Sequence, residues 1–448
     1  MVAGPVDVLI VTALHDELDA VLKLSAPEET PWQEARDLHG FRYYHREIVN
    51  DHGVSFRIAA AWAGEMGESA AAARAQQLID DLEPICLAMC GICAGKRGDV
   101  FLGDVIVADR VYSYDHGKLV AASKGRPVEF FHDIETYNLE KTWKMDAAFF
   151  ARELSWSSEL VKDRPPSKQA QTRWLMHTLH EQQVAQGPSP VRHPDRKARC
   201  PGWPTRLQEL RRNGLLDDQP GVLKLTEKGL SHVAEDLLLD PDGLAADPPF
   251  RVHVGPIATG KAVQEDPDLF DRLKRLGRKT IGVEMEAAAI GYVAELLERR
   301  SIVAKAVSDY GDHDKDDGFR KFACQASAAF MLAFLRRHFT PEAHSSFEQT
   351  GRTMRRRQTH GDDLGKDTGN DLLARVERVC RLREPAGTEI ERRRAPPPFD
   401  EILEVSVREG RLVRTFPVAT FDRPIAEETL QLFLDTVKTL YRDRNPFV

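Results

Sequence analysis

Residues 280–309, TIGVEMEAAAIGYVAELLERRSIVAKAVSD, decide the fold. The spacing predicts a short strand over 280–283, a helix over 286–297 and a buried strand over 302–307. On either side the texture repeats, with a strand at 252–258 and helices at 268–276 and 319–337. The N-terminal part reads the same way: strand 6–12, helix 16–24, two strands within 41–62 around the turn Asn50-Asp51-His52-Gly53, and an Ala-rich helix over 68–81. A strand at 85–89 then runs into a glycine-rich turn, Cys90-Gly91-Ile92-Cys93-Ala94-Gly95, and a further strand follows at 103–108. Strands alternating with helices in this way predict an α/β sheet layered between helices.

Composition narrows the class. The chain has 448 residues, 42% hydrophobic and 29% charged, which is the balance of a globular protein. Lys plus Arg at 62 against Asp plus Glu at 70 gives −8, so the chain as a whole is no polyanion binder. No apolar run reaches the roughly 18–20 residues of a membrane span. The apolar opening around Asp7 lacks a basic flank, so it does not read as a signal peptide. Cys86, Cys90 and Cys93 share one segment while Cys200, Cys324 and Cys380 are scattered, which predicts reduced thiols and a cytoplasmic location.

Between 155 and 248 the alternation stops. A helix over 203–212, a Gly-Leu-Leu turn at Gly214, a strand over 222–226 and a helix over 230–238 resemble a winged-helix unit. Arg206, Arg211 and Arg212 on its first helix read as a solvated face, so nucleic-acid binding is not favoured. After 339 comes a polar stretch, 340–369, read as a linker with the basic run Arg355-Arg356-Arg357. The remainder, 370–448, predicts a small α+β domain with helices at 370–382 and 426–441 and strands at 402–407 and 411–416. The expected units are therefore 1–154 and 249–339 as two parts of one core, 155–248 as an insertion, and the C-terminal domain.

Candidate chemistry collects at strand ends, where open α/β sheets build their sites. Glu17 follows the first strand, Gly91 and Ile92 open a glycine segment that lets backbone approach a ligand, and Glu284-Met285-Glu286 and Ser308-Asp309 end two later strands. Grouping carboxylates costs desolvation unless function or a partner offsets it. Taken singly, Glu17 reads as a helix-start carboxylate and Met285 as core filler. Cys90 and Cys93 have CxxC spacing but no second pair, so no metal site is expected. Asp115-His116 and His132-Asp133 read as polar surface, and Arg392-Arg393-Arg394 as a solvated run.

Five motifs in order, TALHDEL at 12–18, GICAGKRGDVFLGDVIVAD at 91–109, GPIATGKAV at 255–263, GVEMEAAAIGYV at 282–293 and AVSD at 306–309, resemble the methylthioadenosine/S-adenosylhomocysteine nucleosidases of the nucleoside phosphorylase superfamily. The resemblance covers about 2–154 and 249–338. It implies a three-layer nucleoside-phosphorylase-like fold with a central mixed sheet, no cofactor, homo-oligomers, and cleavage of a purine N-glycosidic bond through a cationic sugar. It implies that Asp309, oriented by Ser308, protonates N7 of the base, and that Glu17 activates the attacking water. Glu286 would hold the ribose hydroxyls, Met285 would lie beneath the sugar, Glu284 would sit by the water or the sugar edge, and Val263 and Gln264 would hold the base.

Phosphate-using members of that superfamily carry an arginine just before the glycine segment, where this chain has Ala88-Met89-Cys90, so water is the expected nucleophile. Lys305 stands where the nucleosidases commonly carry arginine, and Lys96-Arg97 follow the glycines; these cations suit a phosphorylated substrate. Two substrate classes stay open. One is a methylthioadenosine-like nucleoside. The other is a nucleotide such as ATP or AMP, as in the fused nucleosidase domains of bacterial conflict systems that this chain resembles, where adenine nucleotides are destroyed during phage infection. A rival class, a nucleoside-sensing regulator that binds DNA through the insertion, is opposed by the full carboxylate set. The C-terminal domain shows no chemistry of its own and is expected to recruit a protein partner.

Overall fold

The computed structural model describes residues 5–24, 29–120, 129–217, 219, 221–240, 247–261, 266–312, 317–341, 389–394, 401–409 and 412–419. Two compact units divide the chain, Met1–Glu348 and Gln349–Val448.

In the first unit the strands are β1 (Val8–Thr12), β2 (Gln33–Arg36), β3 (Arg42–Val49), β4 (Ser55–Trp62), β5 (Cys86–Gly95), β6 (Val105–Ser113), β7 (Gly117–Val120), β8 (Glu129–His132), β9 (Thr136–Asn138), β10 (Val252–Thr259), β11 (Gly282–Glu284) and β12 (Arg300–Asp309). The helices are α1 (His15–Lys23), α2 (Glu68–Leu82), α3 (Lys141–Phe150), α4 (Lys168–Val184), α5 (Arg196–Arg199), α6 (Trp203–Arg212), α7 (Glu227–Leu239), α8 (Leu269–Leu273), α9 (Ala287–Leu296) and α10 (Arg320–His338).

One mixed sheet runs β11-β10-β6-β12-β5-β1-β4-β3-β2, with β9 on β6. Because β11 also pairs antiparallel with the end of β5, the strands β5, β12, β6, β10 and β11 close a ring. Val8 and Ile10 of β1 face a layer made by α1, α3 and α10, while Leu9 and Val11 face α2 and α9, and all four are fully buried. A strand covered on both faces reads as a continuous apolar run, which is why β1 was visible in sequence. The result is the expected three-layer α/β/α arrangement.

One expectation is corrected: residues 90–95 form no turn, and β5 continues through them to Gly95. The glycines serve close packing. A Cβ on Gly95 would lie 2.6 Å from Val100 and Val307 side-chain atoms, where the ring closes.

The segment between α3 and β10 has its own apolar centre of Trp174, Leu175, Leu179, Leu210, Leu216, Leu225 and Val233. Ser167 and Thr226 cap α4 and α7 through their hydroxyls. Gly214, with φ at 68°, follows the α6 C-cap in the left-handed conformation. The strand predicted over 222–226 is instead a single bridge, Leu216 to Leu225, so helices surround a wing too short to pair as strands. The backbone N–H and Oγ of Ser167 both donate to Asp247 at 2.6 Å, and Arg164 Nη1 donates to the Pro248 carbonyl at 2.7 Å. This clasp joins the two ends of the segment. Beneath it, buried Asp104 accepts from the Phe101 and Arg251 amides, His253 Nε2 and Arg164 Nη2.

In the second unit, β13 (Glu389–Arg394), β14 (Glu401–Glu409) and β15 (Leu412–Ala419) form an antiparallel sheet in that order. The helices predicted at 370–382 and 426–441 lie outside the described residues. Among the described residues no helix is long and apolar enough to cross a membrane.

Candidate functional site

A cavity of about 150 Å³ opens along the C-terminal half of β5, lined by Ala13, Leu14 and Glu17 from the first β–α junction, Ile92 to Ala94 of β5, Val283 to Glu286, and Ser308, Asp309, Gly311 and Arg320, with Met66 and Leu269 at its edges. Strand register relates the elements around it. Lys305 of β12 lies opposite Gly91, and Asp309 lies opposite Ala94. Three residues of strand separate those positions by roughly 10 Å. A bulge between Val307 and Asp309 breaks the pairing there, and such irregularities re-aim side chains at sites.

Glu17 is buried in the first turn of α1, where its Oε2 accepts from the amides of Ala13 and Leu14 at 2.9 Å and its Oε1 from the amide of Ile92 at 2.8 Å. Helix α1 thus ties β1 to β5 through one carboxylate. Gly91 leaves room for it, since a Cβ there would overlap the Glu17 carboxylate and force it to shift. Burial pushes the Glu17 carboxyl up, against the pull of Lys305 and of the three amides.

Glu284 ends β11. Thr259 Oγ1 donates to its Oε1 at 2.6 Å, and the amides of Glu286 and Ala287 donate to its Oε2 at 2.8 Å, so it caps the N-terminus of α9 from outside. Glu286 is the N-cap residue of α9, and its Oε1 accepts from the Gly67 amide at 2.9 Å. Burial pushes its carboxyl up to about 7, partly countered by Lys305. Ser308 Oγ donates to Asp309 Oδ2 at 2.8 Å, and the Gly311 amide donates to Asp309 Oδ1 at 2.8 Å. Asp309 is therefore fixed at both oxygens.

Lys305 sits behind the cavity. It is fully buried, with Nζ 3.5 Å from Glu284 Oε2 and 4.0 Å from Glu286 Oε2, and no hydrogen-bond partner among the described residues. Burial alone would lower its ammonium pKa, but Glu17, Glu284 and Glu286 outweigh that and hold it above the ordinary lysine range. One buried cation thus compensates three carboxylates brought from three elements.

The structure brings together Glu17, Gly91, Ile92, Glu284, Met285, Glu286, Ser308 and Asp309. None of the cations singled out for a phosphorylated substrate lines this cavity, although Arg97 borders a second cleft that Ser308 and Asp309 also line. Lys305 is sealed among carboxylates and Lys96 is paired with Asp99 off the cavity. Arg97 Nη2 donates to Asp312 at 2.5 Å with its guanidinium 4.1 Å from the Tyr310 ring centroid, facing a second cleft of about 1010 Å³ between the core and residues 165–213. Val263 and Gln264 lie outside the described residues. His116, His132 and Asp133 line a separate surface groove around β7 and β8. Cys90 and Cys93 are buried free thiols, and no group of metal-ligating side chains occurs among the described residues. Thr259, Gly67 and Arg320 escape sequence reading. Only the position of Thr259 at a strand end offered a signal.

A family model described as the Phosphorylase superfamily matches residues 7–337, and one described as NACHT-associated inactive Restriction Endonuclease 2 matches 369–448. The chain is 24% identical over 330 residues to "ATP nucleosidase Cap17" of Escherichia coli, covering 73% of this chain and 50% of that protein. It is 33% identical over 87 residues to "Death domain-containing ATP nucleosidase" of Amphimedon queenslandica, covering 19% and 16%. The chain thus spans half the length, or less, of these relatives. Among solved structures, the 5'-methylthioadenosine/S-adenosylhomocysteine nucleosidase of Neisseria meningitidis, in complex with methylthio-immucillin-A, matches at TM-score 0.42 and 16% identity, covering 74% of this chain and 98% of that one.

Proposed function

The chain belongs to the phosphorylase superfamily, and we propose that its cavity hydrolyses the N-glycosidic bond of an adenine nucleotide or nucleoside, releasing free adenine and leaving the oxygen of water on C1′. The observation that carries this reading is a pair of hydrogen-bonded carboxylates, Glu17 and Asp309, lining one cavity together with Glu286 and Met285.

The base lies at the Asp309 end. Asp309 gives a proton to N7, so the leaving group departs as neutral adenine rather than an anion. Ser308 Oγ and the Gly311 amide hold both of its oxygens during that transfer. Positive charge then develops on the sugar, where the buried carboxylates of Glu286 and Glu284 stabilise it electrostatically. Glu286 also accepts from the ribose hydroxyls. Glu17, its carboxyl made more basic by burial, takes a proton from the attacking water.

Water is favoured over phosphate as nucleophile by charge. A phosphate at C1′ would meet Glu17, Glu284 and Glu286, and the cation behind them, Lys305, is already compensated. The two relatives, each an ATP nucleosidase by name, support a nucleotide substrate and a role in depleting adenine nucleotides. The apolar side chains of Leu14 and Met66 in the cavity lining favour a second reading, in which a thioether nucleoside is accepted.

The test is chromatography of free base after incubating the purified chain with ATP, AMP, adenosine, methylthioadenosine and inosine, with and without phosphate. Adenine release independent of phosphate, lowered about 100-fold or more by Asp309→Asn, is expected. Release that requires phosphate, or that survives Asp309→Asn, would refute the mechanism. Release from methylthioadenosine alone would select the second reading.

A further inference from the structure

We propose that Arg320 is the residue that receives the 5′-phosphate of a nucleotide substrate at the mouth of the cavity, and so sets the preference for nucleotide over nucleoside. This rests on the hydrolytic reading above and deepens it.

The lining of the cavity is chemically lopsided. Glu17, Glu284, Glu286 and Asp309 all face it, and among the described residues Arg320 is its single cationic side chain. A phosphate inside would be repelled wherever those carboxylates lie, so an anionic substituent has one favourable place to go.

Size and orientation lead to the same place. About 150 Å³ is less than the roughly 300–1,000 Å³ of pockets that enclose a whole ligand, so whatever extends beyond the ribose leaves through the mouth. With the base at Asp309 opposite Ala94 and the sugar over Met285 and Glu286, the remaining direction is past Glu17, which lies against Gly91, and out through the mouth. Arg320 stands at that end, because its partner Asp16 is the neighbour of Glu17.

The guanidinium is also pre-oriented. Its Nε and Nη2 donate to the two oxygens of Asp16 at 2.7 and 3.3 Å, which leaves Nη1 to donate elsewhere. The side chain is 38% exposed, so a di- or triphosphate held there can trail into solvent. An arginine held on one edge by a carboxylate presents its other edge in fixed geometry, which suits phosphate recognition.

The experiment measures kcat and KM for AMP, ATP and adenosine with the full chain, for wild type, Arg320→Gln and Arg320→Lys. Loss of a charge-assisted bond predicts that the ratio of kcat/KM for ATP to that for adenosine falls about 10- to 100-fold in Arg320→Gln, mainly through KM, and recovers partly in Arg320→Lys. Equal losses on all three substrates, or an unaltered ratio, would overturn the proposal. If Arg320→Gln does not fold, the wild-type ratio is followed against sodium chloride instead; a ratio that falls with salt supports a phosphate held by charge, and a flat one refutes it. Wild-type cleavage of adenosine but not of nucleotides would defeat this inference alone, whereas no adenine release from any substrate would defeat the hydrolytic reading with it.

Discussion

Glu286→Gln should make the protein more stable at alkaline pH and leave stability almost unaltered at acid pH. In the folded chain burial raises this carboxyl from 4.5 to about 7, while the unfolded chain ionises near the ordinary value. Between those two values the folded state holds a proton that the unfolded state has released, so stability falls as pH rises through the window. Each pH unit of displacement corresponds to about 1.4 kcal/mol, so the ionised group weakens the fold by about 3 kcal/mol once pH exceeds about 8. Glutamine cannot ionise, and its amide oxygen can still accept from the Gly67 amide 2.9 Å away. The raised carboxyl of Glu17 is present in both proteins and cancels to first order. Urea unfolding followed by far-UV circular dichroism at pH 5, 6, 7 and 8 reads the difference directly. The variant should exceed wild type by no more than about 1 kcal/mol at about pH 5 and by about 3 kcal/mol at about pH 8, while losing at least about tenfold in kcat/KM. A stability difference that does not vary with pH would refute the assignment of a raised carboxyl to Glu286.

Two further outcomes are expected. Gly91→Ala forces a Cβ onto the Glu17 carboxylate, so adenine release should drop about 100-fold for a stability loss of only about 1–3 kcal/mol, and a drop in activity confined to KM would argue against the contact. Asp104→Ala removes the acceptor of the Phe101 and Arg251 amides and of His253, while Arg164 keeps the Leu102 and Pro248 carbonyls, and should cost about 2–3 kcal/mol, read as a lowered Tm, with an unaltered Tm showing that this hub carries no load.

The run from β11 through α9 to β12 was legible because its apolar positions are buried on both faces, and periodicity reports burial. Edge elements were not. β2 is Gln33–Arg36 and β7 is exposed throughout, so neither has a one-sided pattern to detect. α4 escaped because Gln171 and His177 lie buried among Trp174, Leu175 and Leu179, which blurs its stripe. In the site, the carboxylates were readable as strand-end residues. The roles of the cations were not. Lys305 is a lone charge in an apolar strand, a sign of a compensated interior lysine, but its partners come from α1, β11 and the start of α9, and no local spacing links them. Arg320 carries no motif, and only the pairing of α10 with α1 through Asp16 brings it to the cavity.

The clasp between Ser167 and Asp247 has a consequence for how such a chain can diversify. Eighty positions of sequence depart from the core and return to within one hydrogen bond of their starting point. For the sheet, this excursion is a closed parenthesis. The entropy of closing such a loop grows only logarithmically, so doubling its length costs about 0.6 kcal/mol. A segment with a private apolar centre and a pinned stem is an exchangeable cassette: its contents can be lengthened, shortened or replaced while the register that aligns Lys305 with Gly91 and Asp309 with Ala94 stays as it is. The wall that this cassette adds to the cleft beside Asp309 can therefore vary between relatives faster than the chemistry it borders.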